Sequence, residues 1–221
     1  MSTAPGIAIG ARLVGTPRAA LEQYRDDGPL ARLLGAALGR FIPLPPLPLA
    51  LLGMAGLLAV AAAEGDSASN ATVAVAVAWF VLWAGLSSGR PHTDRWAWAS
   101  PGVLRVGEYG CLIWVGATAG ESGSVGAFAL IAALAFRHYE LVYRPRFQGK
   151  PPAPWLAIVG GGWEGRLVLV TVVLAADALP AALFVVAALL AAVFVTECVV
   201  SWARYSAAPV SIYEDEEDEG D

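Results

Sequence analysis

Apolar residues fall in long blocks along this chain instead of alternating. Six blocks have the roughly 17 to 25 residues that carry a helix across a hydrocarbon core: about 44–63, 71–88, 101–119, 124–143, 164–179 and 180–203. Helices are the expected form, because lipid leaves no partner for open backbone groups and no barrel-like alternation is present. Ahead of the first block, Leu30, Leu33, Leu34, Ala37, Leu38 and Phe41 recur at helical spacing with Arg32 and Arg40 off the stripe. That spacing predicts an interfacial amphipathic helix, started by Gly28 and Pro29 and ended by Pro43, Pro45, Pro46 and Pro48. The pattern divides the chain into a cytoplasmic N-terminal segment with its amphipathic helix (1–43), a six-helix membrane domain (44–204) and an acidic, disordered tail (205–221). Between the blocks, Gln148 to Pro154 reads as an exposed turn, and Gly160, Gly161 and Gly162 as a flexible link or a close backbone approach.

Charge adds orientation. The connections 64–70, 120–123 and 177–180 contain no Lys or Arg, whereas all 14 basic residues fall at the alternate ends of the blocks. By the positive-inside rule both termini are cytoplasmic, and the protein is a multi-pass component of the plasma (inner) membrane. No cleavable signal precedes the first block. The net charge of −5 belongs to the tail, where Glu214, Asp215, Glu216, Glu217, Asp218, Glu219 and Asp221 cluster; the other twelve acids face fourteen bases. A hydrophobic content of 57% against 15% charged residues argues against a soluble enzyme. Cys111 and Cys198 lie in apolar blocks and imply no disulfide framework, and no basic cluster points to nucleic acid. Trp96, Trp98, Trp155, Trp163 and Trp202 are expected to form an aromatic belt at the cytoplasmic boundary.

Ionisable residues inside apolar blocks are costly and face protein or water. Counting at about 1.5 Å per residue puts Arg105 and Glu108 roughly 6 and 10 Å inside the cytoplasmic boundary, His138 and Glu140 roughly 9 and 6 Å, and Glu197 about 10 Å. Three helices thereby supply one polar layer, in which Arg105 and Glu108 are spaced to pair. Two readings stand side by side. One is a cytoplasm-facing cavity for an anionic head group, held by Arg105, Arg144 and Arg166 with Tyr109, Tyr139 and Glu197. The other is a set of internal ion pairs. As an enzyme, the layer would offer Glu108, His138 or Glu140 for proton transfer, with the three arginines holding phosphate. A small transporter subunit has only the polar layer in its favour. His92 and Asp94 form a lone His-x-Asp, which is more often a turn than a metal site. No metal or cofactor is expected from the residues.

Trp98 through Gly110, with Arg105, Val106, Glu108, Tyr109 and Gly110, resembles the stretch around the last aspartates of the CDP-alcohol phosphatidyltransferases. Glu164, Gly165, Arg166 and Leu167, leading into two closely joined apolar helices, are similar to that family's fifth and sixth spans. The resemblance implies an Mg²⁺-dependent displacement of CMP from a CDP-alcohol, with the ion held by aspartates in a D-x2-D-G-x2-A-R-x8-G-x3-D-x3-D motif. Aligned on Glu108, Tyr109 and Gly110, the four aspartate positions fall on Trp79, Leu82, Ser100 and Leu104, and the glycine, alanine and arginine positions on Trp83, Leu86, Ser87 and Trp96. None matches. A second fragment, Asp27, Gly28, Ala31 and Arg32, has Phe41, Pro45 and Leu49 where its continuation needs Gly, Asp and Asp, and it reads as chance. Through the Arg-Pro-His-Thr segment from Arg90, Phe136 to Tyr139, Tyr143 with Arg144, and Gly162 to Arg166, the whole chain more closely resembles a bacterial membrane domain often fused behind nucleotidyltransferase and CDP-alcohol phosphatidyltransferase domains. The implied role is a degenerate relative without catalysis, an accessory or lipid head-group-binding partner in phospholipid or glycolipid synthesis, with membrane lipid and a membrane protein as partners.

Overall fold

The computed structural model describes residues 23–89 and 95–207; His92 and Asp94, the first 22 residues and 208–221 of the acidic tail lie outside them, while 205–207, expected in the disordered tail, continue the last helix. Among the described residues 87% are helical and none lies in a strand, so the all-α expectation holds and a barrel is excluded there. After a helical turn at 23–25 come α1 (Pro29–Ala37), α2 (Pro46–Glu64), α3 (Asn70–Leu86), α4 (Ser100–Thr118), α5 (Gly120–Gln148), α6 (Trp155–Val159), α7 (Gly162–Ala175) and α8 (Leu179–Ala207).

Local chemistry sets these limits. Proline at the first turn opens α1 and α2, where the missing N–H would have had no partner. Ser69 caps α3 by accepting from the Thr72 N–H at 3.1 Å. Gly149, at φ 65, closes α5 in the left-handed conformation. Gly161 and Gly162 both have positive φ, and a Cβ on Gly162 would stand 2.4 Å from the Gly28 nitrogen. The triple glycine is thus the close backbone approach of the two readings, with the N-terminal segment as its partner.

Helix α7 lies near the middle, with Trp163, Arg166, Leu167, Val170 and Leu174 buried. The Trp163 ring meets Phe80 of α3 at 5.2 Å, and Phe80 in turn covers Gly107 of α4, where a Cβ would stand 2.4 Å from the ring. At the periphery, α8 buries a single stripe, Leu179, Leu183, Ala187, Leu190 and Phe194, and leaves Phe184, Val185, Leu189, Val195 and Val199 exposed. An apolar helix so little covered by its own protein fits a lipid surrounding.

Five segments are long and apolar enough to cross a membrane: Pro46–Ser67, Asn70–Gly89, Gly120–Gln148, Trp155–Ala175 and Leu179–Ala207. The 101–119 block forms α4 but, carrying Arg105 and Glu108, is not among the five. Helix α5 runs five residues past the expected end at 143, and the short α6 precedes α7 in one segment. The expected amphipathic helix is present, but Ala31 and Gly35 are its docking face, while Leu30, Leu33, Leu38 and Phe41 of the apolar stripe are exposed.

Candidate functional site

The turn at Arg25–Gly28 folds into the end of the bundle and meets the residues expected in the polar layer. Asp26 takes the left-handed conformation, φ 53, which Asp tolerates better than most residues. Its Oδ2 accepts from Arg166 at 3.0 Å, its Oδ1 stands 3.6 Å from Arg137, and its carbonyl accepts from the Trp163 N–H at 3.2 Å. Burial alone would raise its carboxyl; the guanidinium of Arg166, with Arg105 and Arg137 behind it, holds it well below the usual carboxylate range.

The neighbours of Asp26 are bound as tightly. Arg25, fully buried, donates to Asp27 at 2.7 and 3.2 Å and to Ser87 Oγ at 2.8 Å, and its carbonyl accepts from Arg105. Asp27 also accepts from the Trp163 indole at 2.8 Å. Glu164 reaches from α7 to accept the Gly28 and Ala31 N–H groups, both at 3.1 Å, so a carboxylate satisfies orphan donors at the positive end of α1.

Arg166 uses every arm: Nε to Glu108 Oε1 at 2.6 Å, one terminal nitrogen to the Gly160 carbonyl at 2.8 Å, and the other to Asp26. Arg105 bonds Glu108 Oε2, as the i, i+3 spacing predicts, and contacts His138 Nε2 at 3.0 Å. A guanidinium can only donate, so His138 Nε2 accepts; that assigns the proton to Nδ1, which faces the Tyr109 hydroxyl at 2.6 Å. Both oxygens of Glu108 and the free lone pair of His138 are therefore taken by arginine. Arg25 pairs with Asp27, Arg105 with Glu108, Arg137 with Asp26 and Arg166 with both Glu108 and Asp26, while Glu164 is satisfied by backbone N–H groups and His138 Nε2 stands 3.6 Å from Asp26 Oδ2.

The remaining candidates form a separate group between α5 and α8. Arg144 donates to Glu140 at 3.1 and 2.9 Å and to Glu197 at 2.7 Å. Tyr139 is exposed and stacks on Tyr143 at 4.0 Å, in a row that continues through Phe147 and Trp202 to Tyr205. The single expected layer is thus two clusters. One unites Arg105, Glu108, Tyr109, His138 and Arg166; the other unites Glu140, Arg144 and Glu197. Sequence reasoning missed Asp26, Arg25, Asp27 and Arg137 as members. The acidic pair ahead of the Gly28-Pro29 helix start was visible, but nothing local says that it folds back onto α7.

A cavity of about 670 Å³ opens beside the first cluster, between the 23–32 segment, α5 and the 151–158 connection. Asp26, Asp27, Arg32 and Arg137 contribute to its wall. Within this cluster Arg137 is the least engaged guanidinium: its one ionic contact among the described residues is the 3.6 Å approach to Asp26, its Nε has no hydrogen-bond partner there, and it lies over the Phe194 ring at 5.1 Å. Among the described residues no three His, Cys, Asp or Glu side chains come together as a metal site. The positions set by the family motif supply no ligand cage: Trp79 donates its indole N–H to the Leu52 carbonyl at 3.2 Å, Leu82 and Leu104 carry no ligand atom, and Ser100 offers a single buried hydroxyl in place of a carboxylate. The residues present do not fit the divalent ion that the resemblance implies.

The sequence model of a family of unknown function, DUF5941, matches residues 16–219. No curated protein and no solved structure matches the chain. With nearly its whole length covered, the chain belongs to the DUF5941 family.

Proposed function

We propose that this chain is a six-span membrane protein with both termini cytoplasmic, acting as a non-catalytic, lipid head-group-binding accessory in phospholipid or glycolipid synthesis. The observation that carries the reading is the cavity beside Asp26, walled by Arg137 and Arg32 and opening at the end of the bundle where the basic residues gather. There a phosphate oxygen would find Arg137, the guanidinium of the Asp26 cluster that its carboxylates leave least satisfied. Counting α4 as the sixth span is supported by its length, roughly 28 Å at 1.5 Å per residue, and by Leu104, Gly107, Glu108, Cys111 and Leu112 buried along it. An even number of spans places both termini on one side, and the basic ends select the cytoplasm. The link to lipid synthesis rests on the resemblance of Trp98–Gly110 and Glu164–Leu167 to the CDP-alcohol phosphatidyltransferases. The lack of catalysis rests on the aspartate positions held by Trp79, Leu82, Ser100 and Leu104, and on the arginines that occupy Glu108 and His138.

Two measurements test it. Membranes containing this protein alone should release no CMP from CDP-alcohols with Mg²⁺ or Mn²⁺ present; release that depends on this chain overturns the non-catalytic reading. In detergent, glycerol 3-phosphate should raise the Tm of the wild type and not of Arg32→Glu. An equal response in both would place the anion elsewhere.

A further inference from the structure

A second and larger concavity, about 900 Å³, lies on the other side of the 151–154 connection, between the end of α5 and the outer face of α8. Its wall is apolar along Ala192, Val193 and Val200, and Lys150 and Arg204 stand at its mouth. From Arg204 to Ala192 is twelve residues, roughly 18 Å of helix, which takes the groove from the membrane boundary to about the middle of a 30 Å hydrocarbon core. Lys150 and Arg204 are exposed and, among the described residues, have no ionic partner; Glu197, which also lines the groove, is paired with Arg144 at 2.7 Å. Gln148 accepts from Ser201 at 2.9 Å, while its buried amide nitrogen has no partner among the described residues. Cations and an unused donor above an apolar wall match an anionic head group above an acyl chain.

We infer that this groove is a binding site for an anionic glycerophospholipid, with its phosphate between Lys150 and Arg204, a head-group or ester oxygen accepting from Gln148, and an acyl chain along Ala192, Val193 and Val200. A second copy docked by the same face would set Lys150 and Arg204 against themselves. The acidic residues of 214–221 could meet the cations but bring no apolar run for the wall. The inference goes beyond the proposed function and names a lipid class and a site separate from the Asp26 cavity.

The test is native mass spectrometry of the full chain in uncharged detergent, titrated with 1-palmitoyl-2-oleoyl phosphatidylglycerol and with the phosphatidylcholine of the same chains. The wild type should prefer phosphatidylglycerol. Joint Lys150→Ala and Arg204→Ala, both at exposed positions, should weaken that lipid roughly 30-fold, about fivefold per charge, and leave phosphatidylcholine nearly unchanged. Ala192→Phe should weaken both lipids, with an unchanged Tm showing that the fold is intact. Undiminished phosphatidylglycerol binding in the charge variant overturns the site. So does a dimer that Ala192→Phe disperses, or lipid binding that emerges only once the seven acids of the tail are neutralised. Displacement of the lipid by glycerol 3-phosphate at equal concentration also overturns it, since the acyl wall would then add nothing. The Tm response to glycerol 3-phosphate reports the Asp26 cavity and should persist in the Lys150 and Arg204 variant, so the two ideas fail separately.

Discussion

Asp26 holds a left-handed backbone conformation and a buried negative charge at the same point, and Arg166 makes both tolerable. The conformation costs of order 1 kcal/mol. Removing one partner of a buried ion pair costs more, about 3 to 5 kcal/mol, because the other charge is left stranded. Asn adopts the left-handed conformation as readily as Asp, so Asp26→Asn isolates the charge. It should lower the Tm in detergent at pH 7 by roughly 6 to 20 °C. The acid response has a definite sign. A carboxyl whose folded pKa is depressed contributes fully above its ordinary value near 4, and loses that contribution as pH falls toward the folded value. The wild type should therefore keep its Tm from pH 7 to 5 and begin to lose it below about 4, where the gap to Asp26→Asn starts to narrow. A gap that stays constant down to pH 3 would mean that the side chain acts through shape and not through charge. The i, i+3 pairing of Arg105 with Glu108 was legible because helical spacing alone brings those groups together. The Asp26–Arg166 pair was not, since its members are 140 residues apart and one of them sits in a turn.

Helix α1 was legible as an element from its period of apolar residues, which predicts a stripe turned to the membrane interface. The period does not show which residues dock on the protein: these are Ala31 and Gly35, with Leu34 of the stripe partly buried beside them. A Cβ on Gly35 would stand 2.2 Å from the Gly89 nitrogen, and one on Gly89 would stand 2.1 Å from the Gly35 carbonyl oxygen. Contact this close between backbones requires glycine on both sides. Gly35→Ala gains about 1 kcal/mol of helix propensity, yet the new methyl meets backbone that cannot swing aside, and overpacking of that kind costs about 1 to 3 kcal/mol. The clash should win: limited proteolysis should cut faster between residues 28 and 46 in Gly35→Ala, while Leu33→Ala, at an exposed position, should match the wild type. Glu164 closes the same joint from α7, so α1 is tied down by a carboxylate at its start and by glycine in its middle. With the small face docked, Leu33, Leu38 and Phe41 are left free for the membrane interface that the amphipathic pattern predicts.

At the scale of the molecule, the described basic residues sit on helix ends that tertiary contacts bring together: Arg25 against Ser87, Arg105 against His138, Arg144 against Glu197. Among the described residues the opposite end is joined without any cation, by the Trp114 indole donating to Gly65 at 2.7 Å and by Asn70 reaching Leu174 at 3.5 Å. Under the proposed orientation, a chain with Cys111 and Cys198 replaced should let Ser67→Cys react with an impermeant maleimide added outside intact cells. Arg146→Cys should react only after the membrane is opened, and the reverse pattern would invert the topology. Block lengths, the all-helical class and the one-sided distribution of arginine follow from the sequence alone, because hydropathy and charge are sums over neighbours that need no knowledge of packing. Which charges meet is decided by the fold. The sequence places Asp26 outside the membrane domain and Glu140 in the same layer as Glu108, whereas the structure carries Asp26 onto Arg166 and divides Glu140 from Glu108 between two clusters. An ion pair between distant segments depends on rotations and docking depths set by side-chain volumes such as Gly35, Gly107 and Gly162, and one-dimensional spacing does not contain them.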